Sequence, residues 1–211
     1  MPHLTKSLLA ALLAALSFIF VATPVPTSAQ DKEISVDAIL NDPHAPIGGN
    51  PKGDITIVAF LDYNCPFCKQ SAPELEKLVK ADGRIRLVYK DWPILTPASF
   101  HGAQLALAAK HQGKYEQVHH ALMAIPGRRI GKDAMTEAVQ KSGIDVERLN
   151  GDLKQHGTEI QALLQRNLAQ ADALGLTGTP VYLIGPFKVS GALTYEQFRK
   201  AVADAREQGG Q

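Results

Sequence analysis

The sequence holds only two cysteines in 211 residues. That excludes a small fold stapled by several disulfides and any zinc site built on four thiolates. Neither charge is in excess, with 22 Lys and Arg against 21 Asp and Glu. Nucleic acid and anionic membrane surfaces both select for a basic excess, so neither is expected as the main partner. Long apolar runs are missing as well. The principal run, Leu8–Val21, is fourteen residues, short of the roughly 20 that a helix needs to cross a bilayer core. There are no internal repeats and no low-complexity tract. What is present is a globular balance, 45% hydrophobic and 20% charged, with enough apolar material for a core. The length fits one domain or one domain carrying an insertion.

The opening reads as an address. Lys6 precedes the apolar run, and Thr27-Ser28-Ala29 follows it with small residues placed for cleavage after Ala29. This is the pattern of a secretory signal peptide, 1–29; the alternative is an uncleaved N-terminal anchor. No cysteine follows the run, so lipid attachment is not expected. Residues 30–53, with Pro43, Pro46 and Gly48-Gly49, read as a lead-in. The C-terminal Gly209-Gly210-Gln211 is expected to fray.

Export places the two cysteines in an oxidising compartment. Their spacing is Cys65-Pro66-Phe67-Cys68. As a structural cross-link this pair does little, because closing a loop of four residues constrains the unfolded chain by only about 2 kcal/mol. As half of a zinc site it lacks a second cysteine pair or a suitably spaced histidine pair; His119-His120 are sequential and diverge on a helix. The favoured reading is a redox-active dithiol. Ile55–Leu61 is apolar and β-branched and predicts a buried strand. Asp62-Tyr63-Asn64 predicts a turn. Cys65 then falls where a helix begins, with Pro66 at the first helical position, where its missing N–H costs nothing. The helix is expected over Phe67–Lys80, with Pro73 kinking it. A thiol at a helix N-terminus meets free N–H groups and the positive end of the macrodipole, which favour the thiolate. Cys68, one turn inside, is expected to be the less exposed, resolving thiol.

These residues resemble the thioredoxin superfamily and, within it, the DsbA-like exported thiol–disulfide oxidoreductases. The matching pieces are the strand, FLDYNCPFCKQ, the proline five residues after the second cysteine, and Gly178-Thr179-Pro180 followed by the strand Val181–Ile184. The resemblance implies an α/β thioredoxin-like fold over 54–208 and a cis Thr179–Pro180 bond facing the dithiol. It also implies a role for Pro180 in aligning the substrate backbone and excluding metal. From Cys68 to Pro180 is 112 residues, far more than a bare thioredoxin uses, and the surplus is helical in pattern. Helices are expected over Ala98–His111, Tyr115–Ile125, Lys132–Ser142 and Asp145–Gln155, punctuated by Gly113, Pro126-Gly127, Gly143 and Gly157. That is the helical insertion of DsbA-like proteins, about 96–157. Thr158–Leu174 then resumes the core. Arg84–Lys90 is expected as a core strand, Phe187–Ser190 as the edge strand and Tyr195–Glu207 as the closing helix.

Departures from the family bear on the direction of the chemistry. DsbA-like proteins often carry His before the second cysteine; Phe67 cannot donate to the thiolate, which argues for a milder oxidant. An acid often lies six residues before the first cysteine; that position is Ala59. Lys90 is either a charge near the site or a strand-end lysine in water. Thr179 is similar to the residue found in disulfide isomerases and in the suppressor-of-copper-sensitivity C proteins, which DYNCPFCK also resembles. Substrate contacts are expected around Phe67, Trp92 and the helical cap, with Trp92 otherwise in the core. The expected function is disulfide formation or exchange in exported, periplasmic proteins by Cys65 and Cys68. A membrane redox partner would reset the pair. No cofactor and no metal is expected. Alternatives are a disulfide isomerase or reductase, a copper-handling thiol protein, and a binding module with an inert disulfide.

Overall fold

The computed structural model describes residues 35–209. The expected signal peptide, the start of the lead-in and the last two residues lie outside them. A five-stranded sheet forms the centre, in the order β1-β3-β2-β4-β5. These strands are β1 (Ile47–Gly49), β2 (Ile55–Leu61), β3 (Ile85–Asp91), β4 (Val181–Ile184) and β5 (Phe187–Ser190). β2 and β3 run parallel; the other pairings are antiparallel. All seven residues of β2 are buried, as expected for a central strand covered on both faces. Successive side chains alternate between the faces. Ile55, Ile57, Ala59 and Leu61 join the larger core cluster, whereas Val58 and Phe60 join a smaller one with Val88, Trp92 and Val181.

The helices are α1 (Val36–Leu40), α2 (Pro66–Asp82), α3 (Pro97–Ala109), α4 (Tyr115–Met123), α5 (Lys132–Lys141), α6 (Val146–Ala173) and α7 (Tyr195–Glu207). Among the described residues none is long and apolar enough to cross a membrane. α2 starts on Cys65 and stops at Gly83, whose φ of 68° is the left-handed conformation that ends a helix. α3 is built of small and apolar residues because it is buried along most of its length, and Gly102 lets it press on Tyr63 and Met135. A Cβ at Gly102 would stand 3.0 Å from the Met135 sulfur and 3.3 Å from the Tyr63 ring.

Two expectations change. The lead-in supplies α1 and the edge strand β1, which pairs with β3. The break expected at Gly157 is absent, and one 28-residue helix, α6, runs through it. Gly151 and Gly157 both face open space, so each costs helix propensity of about 1 kcal/mol and nothing more. The stripe of Leu149, Ile160, Leu163 and Leu164 is buried, and that packing outweighs the propensity loss.

Candidate active site

The turn between β2 and α2 is fixed by two buried polar residues. Asp62 Oδ1 accepts the N–H of Asn64 at 2.7 Å, and its Oδ2 accepts those of Ile94 and Leu95, both at 2.9 Å. Asn64 accepts the Ile130 N–H at 2.6 Å and donates to Thr96 Oγ1 and the Ile130 carbonyl. The turn is therefore bolted to the loop after β3, to the cap of α3 and to the segment before α5. Sequence reading identified a turn here but not these anchors; the only available signal was the Asp-x-Asn pattern, whose side chains commonly hydrogen-bond nearby backbone.

Both cysteines are free thiols. Cys65 is the N-cap of α2, and its sulfur accepts the Cys68 N–H at 3.2 Å. The same sulfur donates to the Thr179 carbonyl at 3.2 Å. The Thr179–Pro180 bond is cis, and two segments 114 residues apart in sequence meet at the Cys65 sulfur. The exposures of Cys65 and Cys68 are 2% and 0%. Exposure therefore barely separates the two thiols; acidity does. A hydrogen bond from the Cys68 thiol, the Thr179 hydroxyl and the Cys68 and Phe67 N–H groups outweigh burial and bring Cys65 down to about 6. Burial, then the neighbouring Cys65, pushes Cys68 well above the usual thiol range. Thr179 Oγ1 is buried and has no hydrogen-bond partner in place. It is free to rotate its proton toward the sulfurs, which the Thr179 carbonyl cannot supply.

The nearby cation is Lys69, the residue after the second cysteine. Its ammonium donates to the Ile125 carbonyl at 2.6 Å. Burial lowers its pKa while Asp62 and Cys65 hold it up. Lys90 is not brought to the dithiol. Its side chain is fully buried and pairs with Asp42 at 3.2 Å. It sits beside Phe60 in the ladder, on the sheet face opposite the cysteines. Both readings of Lys90, a charge at the site or a lysine in water, are thus corrected by the parity of β3. Trp92 is 3% exposed and packs edge-on against Phe60, so it is core and not a substrate contact. Phe67 is 55% exposed. Ile94 and Leu95, tied to Asp62, are exposed alongside the turn and were missed by the sequence reading.

Ala59 leaves no acid in β2 beneath the cysteines, but the next strand carries one. Asp91 is buried, accepts a hydrogen bond from Tyr115 at 3.0 Å, and is pushed by burial up to about 7. Beside it, Tyr63 hydrogen-bonds His119 at 3.1 Å. Burial lowers His119 to about 3, so it is neutral.

Two thiols of such unequal acidity can trade a disulfide with another dithiol, and known proteins place the chain in that class of thiol–disulfide oxidoreductases. The chain belongs to the thioredoxin family, whose model, described as Thioredoxin, matches residues 41–204. It is 40% identical to a thioredoxin-like oxidoreductase from Silicibacter pomeroyi DSS-3, with 82% of this chain and 98% of that one covered and a TM-score of 0.76. The catalytic domain of Proteus mirabilis ScsC is 26% identical, with 80% and 93% covered and a TM-score of 0.68. Among curated relatives, the thiol:disulfide interchange protein DsbA of Bordetella parapertussis (strain 12822) is 26% identical, covering 86% of this chain and 83% of that one. The Na(+)/H(+) antiporter NhaA 1 of Salinispora arenicola (strain CNS-205) is 25% identical over 75% of this chain. The chain spans about a quarter (24%) of that antiporter's length.

Proposed function

We propose that the chain is an exported, periplasmic oxidoreductase that forms or exchanges disulfides in other exported proteins through Cys65 and Cys68. The observation that carries this reading is the placing of Cys65 as the α2 N-cap, its sulfur 3.2 Å from the Cys68 N–H and 3.2 Å from the Thr179 carbonyl next to Pro180, with the acidity of the two thiols set apart as a result. In the oxidising direction a client thiolate attacks Cys65 Sγ, and the Cys65–Cys68 bond breaks. Cys68 leaves as a thiolate and, being the stronger base, takes a proton. A second client thiolate then attacks the client sulfur of the mixed disulfide. Cys65 leaves as the stabilised thiolate, so two electrons pass from the client to the pair. Thr179 and Pro180 receive the client backbone beside Cys65, while Phe67, Ile94 and Leu95 offer it an apolar rim. A membrane redox partner then reoxidises the dithiol. The signal-like pattern of residues 1–29 supports export.

The pKa of Cys65 lies between the strong oxidant DsbA, about 3.5, and thioredoxin, about 7, which favours a milder oxidant. Thr179, whose hydroxyl helps to lower Cys65, keeps isomerase or reductase work as the second reading. The test is catalysed oxidation of a reduced, unfolded secretory protein by the disulfide form of the chain. Cys65→Ser should abolish turnover and Cys68→Ser should accumulate mixed disulfides. If both variants keep full exchange activity and lose Cu(I) binding instead, the thiols handle metal and this reading fails. The equilibrium with glutathione sets the direction: a potential near that of DsbA, about −120 mV, means oxidase, and one far below it means reductase or isomerase.

A further inference from the structure

A second group of reactive side chains lies away from the dithiol, on α6. His156 and Glu159 are three positions apart and share one face of that helix. His111 comes from the 3-10 turn Lys110–Gln112 after α3, its carbonyl held by Arg148 at 2.8 Å. One ligand atom from each of His111, His156 and Glu159 falls within 4.8 Å of the other two. The two imidazoles stack with centroids 3.6 Å apart and planes 8° from parallel. Glu159 spans the group: Oε2 lies 3.5 Å from His156 Nδ1, and Oε1 lies 3.1 Å from His44 Nδ1. His44 is itself pinned, since its carbonyl accepts from Lys110 at 2.7 Å.

We propose that His111, His156 and Glu159 form a binding site for a borderline divalent cation of the zinc type, with His44 orienting the carboxylate. Two imidazoles and one carboxylate are the donors that Zn²⁺ accepts alongside water. Oxygen-seeking Ca²⁺ and Mg²⁺ need several more oxygens than this cluster supplies. Both rings are only half-buried, so rotation about their side-chain bonds turns the parallel lone pairs onto one ion. The second atom of Glu159 stays on His44, the outer-shell arrangement that typically fixes a ligating carboxylate. The structural consequence follows from where the residues sit. The ion would join the turn after α3 to the middle of α6, and through His44 it would fasten the segment before β1. None of these residues belongs to the thiol chemistry, so the inference stands or falls independently of it.

The test is titration calorimetry of the full chain in its disulfide form, which keeps thiolates out of the measurement, with Zn²⁺ alone as the probe. One ion per chain is expected. A saturating excess of about a hundredfold over Kd should raise the melting temperature by about 5–10 °C. His111→Ala and His156→Ala should each weaken binding by more than about tenfold, and His44→Ala by about tenfold. His120→Ala is the control, because that surface histidine pairs with Glu76 elsewhere, and it should bind as the parent does. The proposal is overturned if the parent shows no one-to-one binding, if the double variant His111→Ala/His156→Ala binds Zn²⁺ undiminished, or if Ca²⁺ displaces Zn²⁺ at equal concentration. Unchanged circular dichroism of the variants separates lost ligation from lost folding.

Discussion

Ionisation of Cys65 is the sharpest point at which the structure can be tested. Its pKa of about 6 makes the sulfur about nine-tenths thiolate at pH 7 and about one-tenth at pH 5, against about one-hundredth at pH 7 for a thiol at its ordinary value near 9. Alkylation by iodoacetamide, read by mass spectrometry, should therefore fall about tenfold between those two pH values, with a midpoint near 6. Cys68 should stay unmodified throughout. The first cause of the shift is the Cys68 thiol hydrogen bond. Cys68→Ala removes that donor and should move the midpoint up by about one to two pH units, the worth of one hydrogen bond to a charged group. Cys68→Ser retains a donor and should stay close to the parent. The same shift feeds the redox balance. At pH 7 it stabilises the reduced pair by about 1.4 kcal/mol, or about 30 mV, and the stabilisation grows as pH rises from about 6 toward 9 because the thiolate exists only in the reduced form. A parent midpoint near 9, or equal midpoints for the Ala and Ser variants, would refute the reasoning.

Phe67→His places an imidazole donor one residue before Cys68 and should lower the Cys65 midpoint further; each further unit raises the glutathione-measured potential by about 30 mV at pH 7, and a fall in potential would count against the argument. Lys90→Ala strips Asp42 of a fully buried partner but leaves Arg166 at 3.3 Å, so urea melts should show a loss of about 3 kcal/mol. The Cys65 alkylation midpoint should not move, and a shift there would restore Lys90 to the site. Asp91→Asn reports on the buried acid. Its folded pKa of about 7 lies above its ordinary 3.8, so the folded chain holds a proton that the unfolded chain has released, and stability is lost as pH rises from about 4 to about 7. The stability of the Asn variant relative to the parent should improve on the order of 3 kcal/mol between pH 4 and pH 8. A difference independent of pH would mean that Asp91 is ionised throughout.

Local features were legible in the sequence wherever one segment decides them. The β2 run and Pro66 at the start of α2 each act within a few residues, and the strand–turn–helix around Cys65 follows from them. The meeting of Thr179 with Cys65 was legible only through the family resemblance, since nothing local joins segments 114 residues apart. Gly157 misled because a glycine in sequence carries no sign of which side it faces; here it faces solvent, and the buried stripe of α6 decides the matter. β1 is three residues long and two of them are glycine, so no alternating pattern could announce it. His111 and His156 stand 45 positions apart, and no motif spacing connects them.

Lys90 and Asp91 show the same limit at its finest scale. They are neighbours at the end of one strand, where Lys90 reads either as a charge near the site or as a lysine in water, and nothing local speaks for Asp91. In the fold both are buried, and the pleat sends them to opposite faces. The ladder aligns Lys90 with Phe60 and Asp91 with Leu61, so Lys90 faces the cluster containing Phe60 and finds Asp42, while Asp91 faces the side that holds both cysteines and finds Tyr115. A register shift of one residue would exchange them, placing a buried cation on the cysteine side and stranding Asp42 with Arg166 alone. The electrostatics of the dithiol face thus depend on strand registry as much as on the four residues from Cys65 to Cys68. Tuning of Cys65 comes from a neighbouring thiol, a hydroxyl and backbone N–H groups, which is why its pKa falls to about 6 without a histidine before Cys68.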